Sequence, residues 1–214
     1  SPPGNALYEK NKIFDKVKYP LKLFLCEECG HLQLSHTVSP VELFQQSYTY
    51  LSGTSSVFRK YLKKSAENIC LEFKTSDNFS VLDIGSNDGT SLNFFKKNDC
   101  KILGVDPAIE VTNIARNNNI PTITDFFNLD LAKKIRLKHG TFNLITSHNT
   151  LAHVEDLIDV FKGVKNLLDI KSVFIFEVGY RLDVIENYWF DTIYHEHLDY
   201  HAVKPLKLCL EKIG

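Results

Sequence analysis

From Phe79 onward, short apolar runs alternate with stretches whose apolar residues recur at helical spacing. The runs "FSVLDI", "KILGVD", "PTIT", "FNLITS" and "SVFIFEV" read as strands. Between them, "TSLNFFKK", "AIEVTNIARNN", "LDLAKKIRLK" and "VEDLIDVFKGVKNLL" read as helices. This alternation predicts an α/β domain, a Rossmann-like parallel sheet with helices on both faces. The fifth strand, Val173–Val178, is almost wholly apolar, as expected of a strand covered on both sides. A bare apolar edge is an aggregation hazard, so the strands that cover it are expected beyond Gly214.

The first half is patterned differently. Residues 1–20 hold three prolines and few apolar residues, and predict an irregular lead-in. "LKLFLCEECGHLQL" then sets two short apolar stretches around Cys26-Glu27-Glu28-Cys29-Gly30, the pattern of a knuckle between two strands. A Cys-x-x-Cys supplies two of the four ligands that structural zinc needs, so zinc and a bare hairpin with two free thiols both fit. Residues 39–73 begin as a short helix, cross a Tyr/Ser/Gly loop, and from Ser56 become an amphipathic helix. Its predicted inner face is Val57, Tyr61, Leu62, Ala66, Ile69 and Phe73. The expected layout is a zinc-binding-like region over 1–50, a linking helix over 51–75 and the Rossmann-like α/β domain over 76–214.

Composition narrows the function. The 214 residues carry a formal charge of −1, which gives no overall pull toward nucleic acid or anionic membrane. The basic run "KKIRLKH" at 133–139 reads as the solvated face of a helix. No apolar run reaches the ~20 residues of a bilayer span. Five cysteines without a disulfide pattern predict a reducing cytoplasm. The chain starts at Ser1 and contains no methionine, so it is expected to be part of something longer.

The turn "VLDIGSNDGT" places Asp83 near the end of the first strand and Gly85 and Gly89 in the turn, flanking Ser86, Asn87 and Asp88. Glycines there let a ligand approach the backbone, and Asp106, closing the next strand, suits ribose hydroxyls. A dinucleotide fingerprint requires G-x-G-x-x-G to cradle its pyrophosphate, whereas this turn has Asn at position 87. The spacing suits S-adenosylmethionine, whose amino-acid tail can face acidic groups such as Asp83. At 191–201, "DTIYHEHLDYH" packs three histidines, three acids and two tyrosines. A metal site, an acid–base apparatus and a polar loop all fit. The helical H-E-x-x-H spacing of zinc proteases is absent. His139 and His148 read as surface or loop residues.

"CEECGHLQL", "YTYLSGTS", "VLDIGSNDGT", "GVDPA", "TDFF", "LAHV" and "DTIYHEHLDY" occur here in the order they take in the deoxysugar C-methyltransferases. The chain resembles this family over essentially its whole length. The family methylates nucleotide-linked 4-keto-6-deoxysugars at C-3. The resemblance implies an N-terminal zinc-binding domain, a central methyltransferase domain and a C-terminal domain completing the sheet. It implies zinc held by two Cys-x-x-Cys pairs, here Cys26 and Cys29 with a second pair upstream of Ser1, "PPGNALY" matching the stretch after that pair. It places Pro107 and Phe126 with the cofactor set. Tyr194, Glu196 and His197 match catalytic positions: His197 as base, Glu196 orienting it or assisting proton transfer, and Tyr194 donating near the enolate. Tyr48 and His153 match positions lining the sugar, with Tyr50 a lesser candidate and His195 and His201 structural. Two other classes are carried beside it: a non-catalytic cofactor- or partner-binding domain, and a zinc-finger nucleic-acid methyltransferase, which the charge disfavours.

Overall fold

In a computed structural model of the chain, residues 18–45 and 48–214 are described. Pro2, Pro3 and the "PPGNALY" stretch of the lead-in therefore lie outside the described residues. The elements are β1 (Leu23–Leu25), β2 (Leu32–Leu34), α1 (Ser56–Phe73), β3 (Ser80–Ile84), α2 (Thr90–Lys97), β4 (Lys101–Asp106), α3 (Ile109–Asn117) and β5 (Thr122–Thr124). They continue with α4 (Leu129–His139), β6 (Leu144–His148), α5 (Leu157–Leu167), β7 (Val173–Glu177), α6 (Arg181–Glu186), β8 (Asp199–Tyr200) and α7 (Val203–Ile213). No described helix is long and apolar enough to cross a membrane.

Two compact units form, and neither follows the chain continuously. One gathers Ser1–Tyr48, Asn149–Ile158 and Glu177–Gly214; the other Thr49–His148 and Asp159–Phe176.

The second unit carries a five-stranded sheet of order β5-β4-β3-β6-β7. β3 runs parallel to both β4 and β6, and β4 runs parallel to β5. Side chains alternate across the pleat. Val81 and Leu144 join one buried cluster with Leu62, Ala66, Leu92 and Phe95. Their neighbours Leu82 and Ile145 join another with Ile135, Val164 and Leu167. Both faces are thus covered by helices, which explains why the strands read as unbroken apolar runs. At β7, Val173 and Ile175 pack toward the first cluster and Phe174 toward the second. All five residues of β7 are only half-buried, as befits a strand at the edge of the described sheet.

The inner face of α1 differs from its prediction. Val57 is 76% exposed and Tyr61 46%, while Leu62, Ala66, Ile69 and Cys70 are buried. The stripe enters through Phe58 instead, one residue along. Ser55 caps the helix by accepting a hydrogen bond from the Phe58 amide at 3.2 Å.

The first unit is built on a three-stranded sheet, β1-β2-β8. β1 and β2 pair antiparallel with Leu25 opposite Leu32, and β2 pairs antiparallel with β8. Leu34, Leu198 and Tyr200 form its buried centre, with Leu23, Leu32 and Ile193 against them. Asp199 and Tyr200, placed by the sequence reading in the 76–214 domain, therefore complete the N-terminal sheet. Arg181, on α6, donates to the Gly30 carbonyl of the knuckle turn.

Candidate active site

In the second unit the chain begins at the central β3, steps outward to β4 and β5, then crosses back to β6 and β7. The reversal lies between β3 and β6, and in such sheets ligands bind outside the carboxyl ends of the strands at that point. The β3–α2 turn is there. Gly85, Asn87 and Gly89 all have positive φ, at 73°, 51° and 77°. A Cβ on Gly89 would come within 2.9 Å of Ile120, so a side chain is excluded by space as well as by conformation.

Most of the turn's amides are already committed. Those of Gly85 and Ser86 donate to the Val105 carbonyl, and that of Gly89 to the Ser86 carbonyl. The Asn87 amide donates to Asp106 Oδ2 at 2.9 Å, and the Thr90 amide to Asp88 Oδ1 at 3.1 Å. A pyrophosphate cradle needs such groups free. This turn instead suits a ligand without phosphate.

Asp106 is 6% exposed and also accepts from the Ala108 amide at 2.9 Å. Burial pushes its carboxyl up to about 6, against the pull of the Ala108 and Asn87 amides and with a further push from Asp83 and Asp88. Asp83 is buried and accepts from the Thr146 hydroxyl at 2.8 Å, with His148 Nδ1 3.8 Å from the same oxygen. His148, expected on a surface or loop, therefore ends β6 beside Asp83, its side chain 13% exposed. His139 is exposed at the end of α4.

The side chains of the turn face the protein. The Ser86 hydroxyl lies over Gly104 of β4, where a Cβ would come within 2.4 Å of it. Asn87 and Asp88 bind residues 50–53: the Ser52 amide donates to Asn87 Oδ1 at 2.8 Å, the Gly53 amide to Asp88 Oδ2 at 2.8 Å, and Asn87 Nδ2 to the Tyr50 carbonyl at 3.0 Å. Sequence reasoning directed all three toward the cofactor. Pro107 and Phe126 are half-buried, directly after β4 and two residues after β5.

The first unit brings the other candidates together. His197 Nδ1 donates to the Thr192 carbonyl at 2.8 Å, which leaves Nε2 to accept from the Tyr194 hydroxyl at 2.9 Å. Burial lowers the His197 pKa, opposed by the Thr192 carbonyl and the charge of Glu196. His153 Nδ1 donates to the Glu196 carbonyl at 2.6 Å. Burial, then the neighbouring His197, press its pKa down to about 4. Both rings are thus held neutral at pH 7.

The rings form a continuous series. Tyr48 and Phe44 have centroids 5.6 Å apart, Phe44 and His153 5.4 Å, His153 and His197 5.0 Å, and His197 and Tyr194 4.2 Å. Tyr48, His153, Tyr194 and His197 are therefore assembled, joined by Phe44, which sequence reasoning missed because an apolar ring in an apolar helical turn carries no signal of its own. Thr192 was missed too, since it acts through its backbone. Glu196 is buried at 1% exposure and affects His197 by its charge, while Thr192 and Tyr194 orient that ring. His195 and His201 are buried, with His195 edge-on to Tyr19 and His201 near His31. With both His197 nitrogens engaged, a metal shared across His195–His197 has no open donor on that ring.

The knuckle turn closes through the Cys26 amide donating to the His31 carbonyl and the Gly30 amide to the Cys26 carbonyl, both at 2.8 Å. Hydrogen bonds from the Cys29 and Glu28 amides lower the Cys26 pKa, favouring the thiolate that binds metal. Two thiols on one turn fit two corners of a tetrahedral zinc site. Among the described residues no group of three or more His, Cys, Asp and Glu side chains is arranged to hold a metal. His31 instead hydrogen-bonds Asp199 at 2.7 Å. Cys70 and Cys100 are buried 3.7 Å apart in the second unit, and burial pushes Cys100 up to about 12. After chelation, iodoacetamide should alkylate Cys26 at least about tenfold faster than either buried thiol, as read by peptide mass spectrometry.

A family model described as "Methyltransferase domain" matches residues 34–214, and one described as "Putative zinc binding domain" matches residues 1–44. C-methyltransferase NovU of Streptomyces niveus is 29% identical over 212 residues, covering 99% of this chain and 50% of its own length. The chain thus spans about half the length of this curated relative. A SAM-dependent methyltransferase from Archaeoglobus fulgidus shares the fold with a TM-score of 0.57 at 18% identity, over 73% of this chain and 68% of its own. The plantazolicin methyltransferase BpumL in complex with SAH does so at 0.58 and 18% identity, over 76% of this chain and 66% of its own. The match over residues 34–214 settles the family: this chain belongs to the methyltransferase-domain proteins, on a Rossmann-like sheet preceded by a zinc-binding-type region.

Proposed function

We propose that the chain is part of an S-adenosylmethionine-dependent C-methyltransferase that acts at C-3 of a nucleotide-linked 4-keto-6-deoxysugar. The observation that carries this reading is the neutral, half-buried His197, whose Nε2 lone pair is held by the Tyr194 hydroxyl. Methylation at carbon needs a base, because carbon has no lone pair until a proton is removed. The 4-keto group acidifies the C-3 proton, and a base of histidine's strength suffices at neutral pH.

Tyr194 and His197 divide the work. When the keto oxygen enters, the Tyr194 hydroxyl turns to donate to it, and this frees Nε2 to take the C-3 proton. The Thr192 carbonyl then stabilises the imidazolium through Nδ1–H, and buried Glu196 offsets its positive charge. His153 and Tyr48 extend the wall along which the sugar lies. Asp106 and Asp83, the backbone of the turn Gly85, Ser86, Asn87, Asp88 and Gly89, and Pro107 and Phe126 form the cofactor set. Bound there, S-adenosylmethionine supplies the electrophilic methyl group. Cys26 and Cys29 would hold a structural zinc together with a second thiol pair. The curated relative's own description as a C-methyltransferase supports the choice of carbon as acceptor.

The test is proton exchange without the cofactor. In deuterium oxide, the full-length protein should wash the C-3 proton out of a nucleotide-linked 4-keto-6-deoxysugar, seen by proton NMR. Methyl transfer to an oxygen or nitrogen acceptor with no such exchange would refute the carbon assignment.

A further inference from the structure

The side chains of Asn87 and Asp88 leave the turn with nothing of theirs directed at a cofactor. Asn87 accepts from the Ser52 amide and donates to the Tyr50 carbonyl. Asp88 divides its oxygens between the Gly53 and Thr90 amides. The segment they hold is itself ordered: the Thr54 hydroxyl and amide both donate to the Leu51 carbonyl, and Ser55 then caps α1. The approach is close enough to dictate composition. A Cβ on Gly53 would come within 2.7 Å of Thr90 Oγ1 and 2.8 Å of Asp88 Oδ2. Tyr50 is half exposed, and burial of its hydroxyl, with the nearby charge of Asp88, raises the phenol's pKa.

We infer that residues 50–54 are a wall of the cofactor pocket, and that Asn87 and Asp88 are positioning residues that act through this wall rather than by touching the cofactor. The segment is bonded directly to the turn at the carboxyl ends of the strands, where sheets of this kind hold their ligands. The turn contributes backbone and shape, and residues 50–54 contribute the missing side. The inference rests on the cofactor lying at the Gly85–Gly89 turn, and the experiment separates the two.

Ser52→Pro removes only the amide that Asn87 accepts. Ser52 begins a short helical turn and Leu51 before it is extended, with φ −121° and ψ 119°, so proline is accommodated. Binding of S-adenosylhomocysteine to the full-length protein is measured by titration calorimetry, with melting temperature as the check on folding. Ser52→Pro should weaken binding about tenfold and Asn87→Ala at least as much, since it also cuts the bond to the Tyr50 carbonyl, and the double variant should be no worse than Asn87→Ala alone. Wild-type affinity in Ser52→Pro, or losses that multiply in the double variant, would overturn the inference. Gly53→Ala, which leaves every turn residue unchanged, should weaken binding as well. Full affinity in Asp106→Ala would instead show that the cofactor lies elsewhere.

Discussion

His197→Ala should lower C-3 proton exchange and methyl transfer together by about a thousandfold, the scale of a positioned general base. The ring makes two bonds, to the Thr192 carbonyl and the Tyr194 hydroxyl, and alanine removes both. Tyr194→Phe separates the roles. It leaves Nε2 accessible, so exchange should fall less than in His197→Ala, while stabilisation of the enolate oxygen is lost. The pH profile adds a second check. Burial lowers the His197 pKa below its ordinary 6.5, so the base is neutral across the physiological range and exchange should decline only at pH values below 6.5. Exchange that persists in His197→Ala would remove this residue as the base.

Asp106→Ala should weaken S-adenosylhomocysteine binding at least about a hundredfold, since two charge-assisted hydrogen bonds from ribose hydroxyls are lost. The wild-type protein should show the same dependence through pH. With its pKa near 6, Asp106 carries a charge at pH 7 and mostly a proton at pH 5. Affinity should therefore fall about tenfold between those values, with proton release on binding at the lower pH. The sign for folding is opposite to the usual carboxylate. The folded pKa is raised from 3.8, so this group's contribution to ligand-free stability is greatest below about 4 and declines as pH rises to about 6. A bound ribose relieves that cost, so the melting-temperature gain on adding S-adenosylhomocysteine should be larger at pH 7 than at pH 5. Equal affinity at both values would show that Asp106 does not hold the ribose.

The parallel sheet was legible in the sequence because its strands are covered on both faces and its helices repeat at their own period. Gly85 and Gly89 were legible because few residues take their conformation. The direction of Asn87 and Asp88 was not. Asn87 has positive φ, where a side chain leaves the turn on the side opposite to the usual one, and for both residues the partner at 50–53 lies far back in the sequence. β8 was invisible for a different reason: two residues show no alternation, and only their pairing with β2 makes them a strand. The histidines of "YHEH" were separable by resemblance alone. Their bonds now distinguish them, His197 by a lone pair held on a phenol and His195 by burial.

The pairing of β2 with β8 also bears on how the chain is made. His31 and Asp199, bonded across that sheet, stand 168 residues apart. During synthesis the β1–β2 hairpin keeps an unpaired edge until the segment holding β8 has been made. The Rossmann-like unit, whose β3–β4 and β4–β5 contacts are more local, has by then had time to form. Closure of the small sheet thus waits for β8, and that pairing is what draws the residues just after "YHEH" onto the knuckle hairpin.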